Sequence, residues 1–195
     1  MVPFGTSGSS LTYRETRESP MQMHRFTLAT ALVGVGFVAA CGSSKSTAPN
    51  TITYTADLKP SNEVLANGSS AGIVSSGSGT WTGTLDPNTN ILTWTMSFTG
   101  LTSNSSASHI HAQAPTTTTA GVVLNFATFA GSTIQLGGTS GTATGSINLS
   151  SATPATGLTI SGDSLRKAMD AGQAYVNVHS SQYPAGEIRG QIVKQ

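Results

Sequence analysis

From Thr51 onward the chain repeats one pattern: apolar and hydroxyl-bearing residues trade places at every second position. Ile52, Tyr54, Ala56 and Leu58 alternate with Thr53, Thr55 and Asp57, and Leu92, Trp94, Met96 and Phe98 alternate with Thr93, Thr95 and Ser97. A two-residue period puts each set on one face of a pleated strand, so these segments predict half-buried strands whose apolar faces need a second layer. Trp81, Gly83 and Leu85 run into Asp86-Pro87-Asn88-Thr89-Asn90, a cluster of turn formers that predicts an antiparallel hairpin. Further strands are expected over 107–114, 121–128, 141–149, 173–179 and 187–193, parted by Gly, Pro, Ser and Thr clusters. One short helix fits 161–171, where Ser161 or Asp163 caps the start, Leu165 and Met169 stand four apart on one face, and Gly172 closes the end. The expected class is all-β: an antiparallel Greek-key β-sandwich or barrel of about eight strands, with one short helix near the C-terminal third.

Charge excludes one class of partner. Only 9% of the 195 residues are charged, so the solvent face must be rich in hydroxyls rather than ions. From Gly42 onward six basic residues (Lys45, Lys59, Arg166, Lys167, Arg189, Lys194) balance six acidic ones (Asp57, Glu63, Asp86, Asp163, Asp170, Glu187). That balance leaves no basic patch for nucleic acid.

The stretch Phe26–Ala40 is apolar and uncharged, follows His24 and Arg25, and is shorter than the roughly 20 residues a membrane-spanning helix takes. It reads as the apolar region of a signal peptide. The single cysteine, Cys41, stands directly after Val38-Ala39-Ala40. This ending resembles the lipobox of bacterial lipoproteins, which implies acylation of Cys41 and cleavage before it; an ordinary signal peptide with a free thiol is the alternative. Residues 1–22 carry no apolar period and precede a complete signal beginning at Met21 or Met23, so they read as an overcalled or disordered N-terminus. The expected organisation is therefore 1–22 outside the fold, 23–40 as lipoprotein signal peptide, 41–50 as lipidated Cys41 and a flexible polar tether, and 51–195 as one β domain. The expected location is the bacterial cell envelope on the extracytoplasmic side. The residues after Cys41 include no Asp at the first two positions, and in lipoproteins this favours the outer membrane where one exists.

Three histidines remain past the cleavage point, His109, His111 and His179, and each falls in a predicted strand. In His109-Ile110-His111 the imidazoles stand two apart, so they share one face while Ile110 turns inward. In Tyr175-Val176-Asn177-Val178-His179 the valines mark the buried face, which places Tyr175, Asn177 and His179 on the other, polar one. If the two strands are neighbours, three imidazoles converge outside the apolar core, an arrangement suited to copper or zinc. Hydrogen bonding of the rings to neighbouring strands is the competing reading. No other cofactor is called for. Tyr183-Pro184-Ala185-Gly186 reads as a type I turn with Pro184 and Gly186 at its second and fourth positions. After it, Glu187 and Arg189 share the polar face, where an ion pair or a hydrogen-bond brace is expected rather than catalysis. No phosphate-binding loop is present, no mature cysteine can pair with a histidine, and no catalytic residue is assigned.

His109-Ile110-His111, the segment Ala171 to His179, and the segment Tyr183 to Ile192 resemble the CHRD (chordin) domain family, whose members show a His-x-His strand, a "Tyr-Val-Asn-Val-His" segment and a closing "Tyr-Pro-Gly-Gly-Glu-Ile-Arg-Gly". Ala185 stands where that family often has glycine. The resemblance covers 51–195 and implies that Tyr175, Asn177, Pro184, Gly186, Glu187, Arg189 and Gly190 are structural. A second similarity is to copper/zinc superoxide dismutase, in which three copper ligands would fall on His109, His111 and His179. This chain has no further mature histidine for a bridging ligand or a zinc site, and no second cysteine for a disulfide.

Two functions follow. The first is a noncatalytic, envelope-anchored binding or structural module, tied to the membrane through Cys41, with an unknown extracytoplasmic protein or glycan as ligand. The second is a copper- or zinc-binding protein, for metal handling or dismutase-like redox protection.

Overall fold

A computed structural model describes residues 50–151 and 157–195. The signal segment, Cys41 and all but the last residue of the tether lie outside the described residues. The described residues form a sandwich of two antiparallel sheets, not a closed barrel, with ten strands among them: β1 (Ile52–Leu58), β2 (Ser78–Asp86), β3 (Ile91–Thr99), β4 (Ser105–Ala112), β5 (Val122–Asn125), β6 (Ser132–Ile134), β7 (Gly141–Asn148), β8 (Ala174–Ser180), β9 (Ile188–Gln191) and β10 (Val193–Lys194). The first sheet runs β10-β1-β2-β3-β7-β6 and the second β5-β4-β8-β9. The helix α1 (Gly162–Asp170) starts at Ser161, whose hydroxyl accepts the Ser164 N–H, and buries Leu165 and Met169. Gly172, just beyond it, takes φ +65°, the left-handed conformation that glycine adopts at low cost.

The alternation of the sequence becomes the two faces of the first sheet. Trp81, Leu85, Leu92, Trp94, Met96 and Phe98 point into the core and are at most 3% exposed. Large and small residues interlock there. Trp94 pairs with Gly83 on one side and Gly145 on the other, while Phe98 stands between Gly79 and Gly141. A Cβ at Gly145 would run into the Trp94 indole, and one at Gly141 into the Phe98 ring. The strand glycines are thus the cavities into which the aromatic rings fit.

Two differences from the sequence reading concern strand ends. The edge strand β6 is only three residues long, too short for alternation to reveal. The closing segment expected as one strand over 187–193 divides at Ile192: β9 pairs with β8 in the second sheet, and β10 pairs with β1 in the first. Just before this switch Lys59 and Arg189 exchange both backbone hydrogen bonds, joining the edges of the two layers. Gly190 permits this crossing, because a Cβ there would meet the Asp57 backbone and the Ala56 side chain.

Gly145→Val is expected to destabilise the domain by roughly 1–3 kcal/mol or more through overpacking against Trp94, read as a lowered urea midpoint. An unchanged midpoint would contradict this packing account.

Candidate functional site

The second sheet carries the polar motif residues on its outer face, away from the core. Register sets their neighbours: His109 lies opposite Asn177 and Asn177 opposite Arg189, while His111 lies opposite Tyr175 and Tyr175 opposite Gln191. His179 sits two residues along β8 from Asn177, diagonal to His109, within side-chain reach. The strands therefore bring the three histidines together.

This face is polar as expected, but it is not open to water. All seven residues of β8 are buried, including Tyr175 at 3%, Asn177 at 3% and His179 at 9% exposure. Loops from three parts of the chain roof it over. The 113–120 loop is held by Arg189, whose guanidinium donates to the Thr118 and Pro115 carbonyls (2.9 and 3.0 Å) and to the Gln191 side-chain oxygen (3.2 Å). The guanidinium also lies 3.6 Å from the centre of the Tyr175 ring, and the same ring stacks on His111 at 4.7 Å, 1° from parallel. The second roof element follows β1 and places Glu63 over the face. The third is the Tyr183–Gly186 turn, closed by the Gly186 N–H donating to the Tyr183 carbonyl. Gly186 has φ +133°, and a Cβ there would collide with the Glu63 carboxylate. Ala185 is exposed, which explains why a residue other than glycine is tolerated.

Burial sets the protonation of the rings. Desolvation, then the neighbouring His179 and His111, push His109 down to about 4, and desolvation likewise lowers His111 and His179. All three are neutral at neutral pH, the form that binds metals. Each neutral ring has one N–H. His179 Nδ1 donates to the Pro184 carbonyl at 3.0 Å, which leaves Nε2 to accept from His109 Nδ1, also at 3.0 Å. His111 Nδ1 donates to the Ala120 carbonyl at 2.9 Å, which leaves its Nε2 bare against the Asn177 side-chain oxygen at 3.2 Å. Two acceptors cannot bond. A bond there requires the Asn177 amide turned end for end, with its NH₂ toward His111 Nε2.

Glu63 lies over the same face, and sequence reasoning missed it. It is 5% exposed, and desolvation, outweighing the nearby Arg189 and the Asn177 contact, raises it to about 7. Nothing local distinguishes it: it is a lone acid just past the short 3-10 turn Pro60–Asn62, and only the folded roof buries it. Glu187 and Arg189 do not form a pair. Glu187 accepts from the Thr102 N–H (2.7 Å), the Thr102 hydroxyl (3.1 Å) and the Ser75 hydroxyl. Burial opposes its charge, but these donors and Ser180 together hold it below the usual carboxylate range. Each of the two residues is a brace to separate loops.

His109, His111 and His179 offer ring nitrogens that all lie within 4.8 Å of one another. Two nitrogens on one ion, each at roughly 2.0–2.1 Å, stand about 3.3 Å apart at a tetrahedral angle. The His109–His179 separation of 3.0 Å is close to that, and His111 has to leave Asn177 to join them. The Pro184 and Ala120 carbonyls fix the Nδ1–H tautomers of His179 and His111, the outer bonds that orient metal-binding imidazoles. His109 is the most exposed of the three. One further motif is a coincidence: Gly68-Ser69-Ser70-Ala71-Gly72 has the spacing of a nucleophile elbow, but it is an exposed turn leading to no helix, and the Ser70 hydroxyl accepts the Gly72 N–H.

The family model described as the CHRD domain matches residues 54–192. No curated protein and no solved structure matches.

Glu63→Gln tests the buried carboxyl. A native pKa of about 7 against an ordinary 4.5 means the native state holds the extra proton between those values, so the wild type loses stability as pH rises from about 4.5 to about 7 and no further above it. The variant lacks this loss and is expected to gain about 2–3 kcal/mol relative to wild type between pH 4.5 and pH 8, measured by urea unfolding at both. A pH-independent difference would place the carboxyl in water.

Proposed function

Because the chain belongs to the CHRD domain family, we propose that it is a noncatalytic binding module, held at a bacterial cell envelope by lipid on Cys41, that takes up a copper or zinc ion on His109, His111 and His179. The observation that carries this reading is the convergence of three neutral imidazoles, two of them already oriented by carbonyls. Imidazole suits both metals, and copper(II) binds a given nitrogen set more tightly than zinc. Uptake would require His109 to move its proton from Nδ1 to Nε2, with no net charge change in the protein. No carboxylate joins the nitrogen cluster among the described residues, and no group there is placed as a general acid or base, so binding rather than turnover is the function the site supports. An extracytoplasmic protein or glycan is a further ligand consistent with a tethered domain.

A second reading rests on a specific observation: the His109–His179, His179–Pro184 and His111–Ala120 bonds satisfy the rings without any ion. On that reading the histidines are braces for the roof.

Metal analysis separates the two. Protein purified without a histidine tag and loaded with Zn²⁺ or Cu²⁺ is expected to retain one ion per chain after dialysis, and His109→Ala, at the exposed edge of the cluster, to lose it while keeping its unfolding midpoint. Substoichiometric metal in the wild type, or equal metal in the variant, would return the histidines to a bracing role.

A further inference from the structure

The outer face of the first sheet, on the far side of the sandwich from the histidines, is an ordered array of hydroxyls. Register defines it. Thr84, Thr93 and Ser146 form one rung across β2, β3 and β7; Thr82, Thr95 and Thr144 form the next; Thr80, Ser97 and Thr142 form the third. All nine positions carry a hydroxyl, and all but the half-buried Thr84 are exposed. The middle rung continues to Thr55 on β1 and Thr133 on β6, five threonines across five strands. Among the outward positions of β2, β3 and β7 the only charged side chain is Asp86, at the hairpin end.

Threonine suits an exposed strand, but strand propensity alone does not explain this face. Lysine and glutamate normally serve solubility on an open sheet. Their absence from the nine rung positions leaves a surface that is neutral between Asp86 and the Asp57–Lys59 pair at its margins, carries alternating methyls and hydroxyls, and repeats in two directions. The repeat is about 4.7–4.9 Å across strands and about 6.6–6.8 Å between alternate residues along a strand.

We propose that this face binds ice. The cross-strand repeat is close to the in-layer oxygen repeat of hexagonal ice, while the along-strand repeat falls short of the axial one, so hydroxyls along a rung can occupy lattice positions while the methyls sit in the cages between them. A charged side chain would keep its own hydration shell and disorder the contact, which is why a neutral lattice and an uncharged face are complementary. Sheet twist rotates outer strands progressively, so the matched area centres on β2, β3 and β7. Hydroxyl contacts along the rungs, Thr80 to Ser97 at 3.3 Å and Thr133 to Thr144 at 3.0 Å, restrict rotor freedom before contact is made. A glycan would be met differently: sugar-binding faces stack aromatic rings on the sugar, and both tryptophans point into the core at 0% and 2% exposure. The individual contacts are weak, and their number on one rigid face makes the attachment multivalent. This proposal is independent of the metal reading, which concerns the other sheet.

Slow freezing of a dilute solution of the purified protein around a cold finger, with ice recrystallisation followed in parallel, tests it. The wild type is expected to concentrate in the ice and to hold crystals small. Thr95→Lys at the centre of the array, and separately Thr144→Asp, are expected to abolish both effects without moving the unfolding midpoint, while His109→Ala retains them. Exclusion of the wild type from ice, or full activity in the two array variants, would overturn the proposal. Array-dependent adsorption to insoluble cellulose or chitin with exclusion from ice would overturn it in favour of a glycan.

Discussion

The guanidinium of Arg189, 1% exposed and stacked on Tyr175, is the pin on which the motif face depends. Its backbone joins β9 to Lys59 at the seam between the sheets, and its side chain holds the 113–120 loop through two carbonyls. That loop supplies the carbonyl that orients His111. A lysine could carry the charge but not the flat contact with the phenol or the forked set of donors. Remove the roof, and three histidines with ordinary titration would stand on a wet sheet. With it, they are dry, neutral and close enough to share a proton or an ion.

The energetics of that layer differ from those of the core. Between the sheets, apolar burial and the fit of rings against strand glycines provide stability. Above the second sheet, polar groups are buried, and each must find a partner or lose its charge. Arg189 and Glu187 stay charged because carbonyls, amides and hydroxyls surround them. The histidines and Glu63 yield instead, by shifting toward their neutral forms. The domain thus has two buried layers, one oily and one hydrogen-bonded, with β4 and β8 shared between them.

Much of this is legible in the sequence, because the governing physics is local. Alternation marked β1, β2, β3 and the side of β4 that carries the histidines, the Asp86–Asn90 cluster marked the hairpin, and Ser161 and Gly172 bracketed the helix. What alternation cannot report is whether the polar side of a strand faces water or a loop. The valines of β8 identified its inner face, yet Tyr175, Asn177 and His179 are buried by segments distant in sequence. Glu63 escaped notice for the same reason, and Glu187 and Arg189, neighbours on paper, brace different loops. The short β6 and the switch of sheet at Ile192 lie below the length at which periodicity carries information.

The central claim is that the roof keeps three imidazoles neutral in fixed tautomers. Nitrogen-15 NMR of the imidazole rings across pH tests it directly. The account predicts no protonation of His109 until pH falls toward about 4, with His111 and His179 holding their protons on Nδ1 against the Ala120 and Pro184 carbonyls. Three rings titrating together near 6.5, the value of a free imidazole, with fast exchange between tautomers, would contradict it.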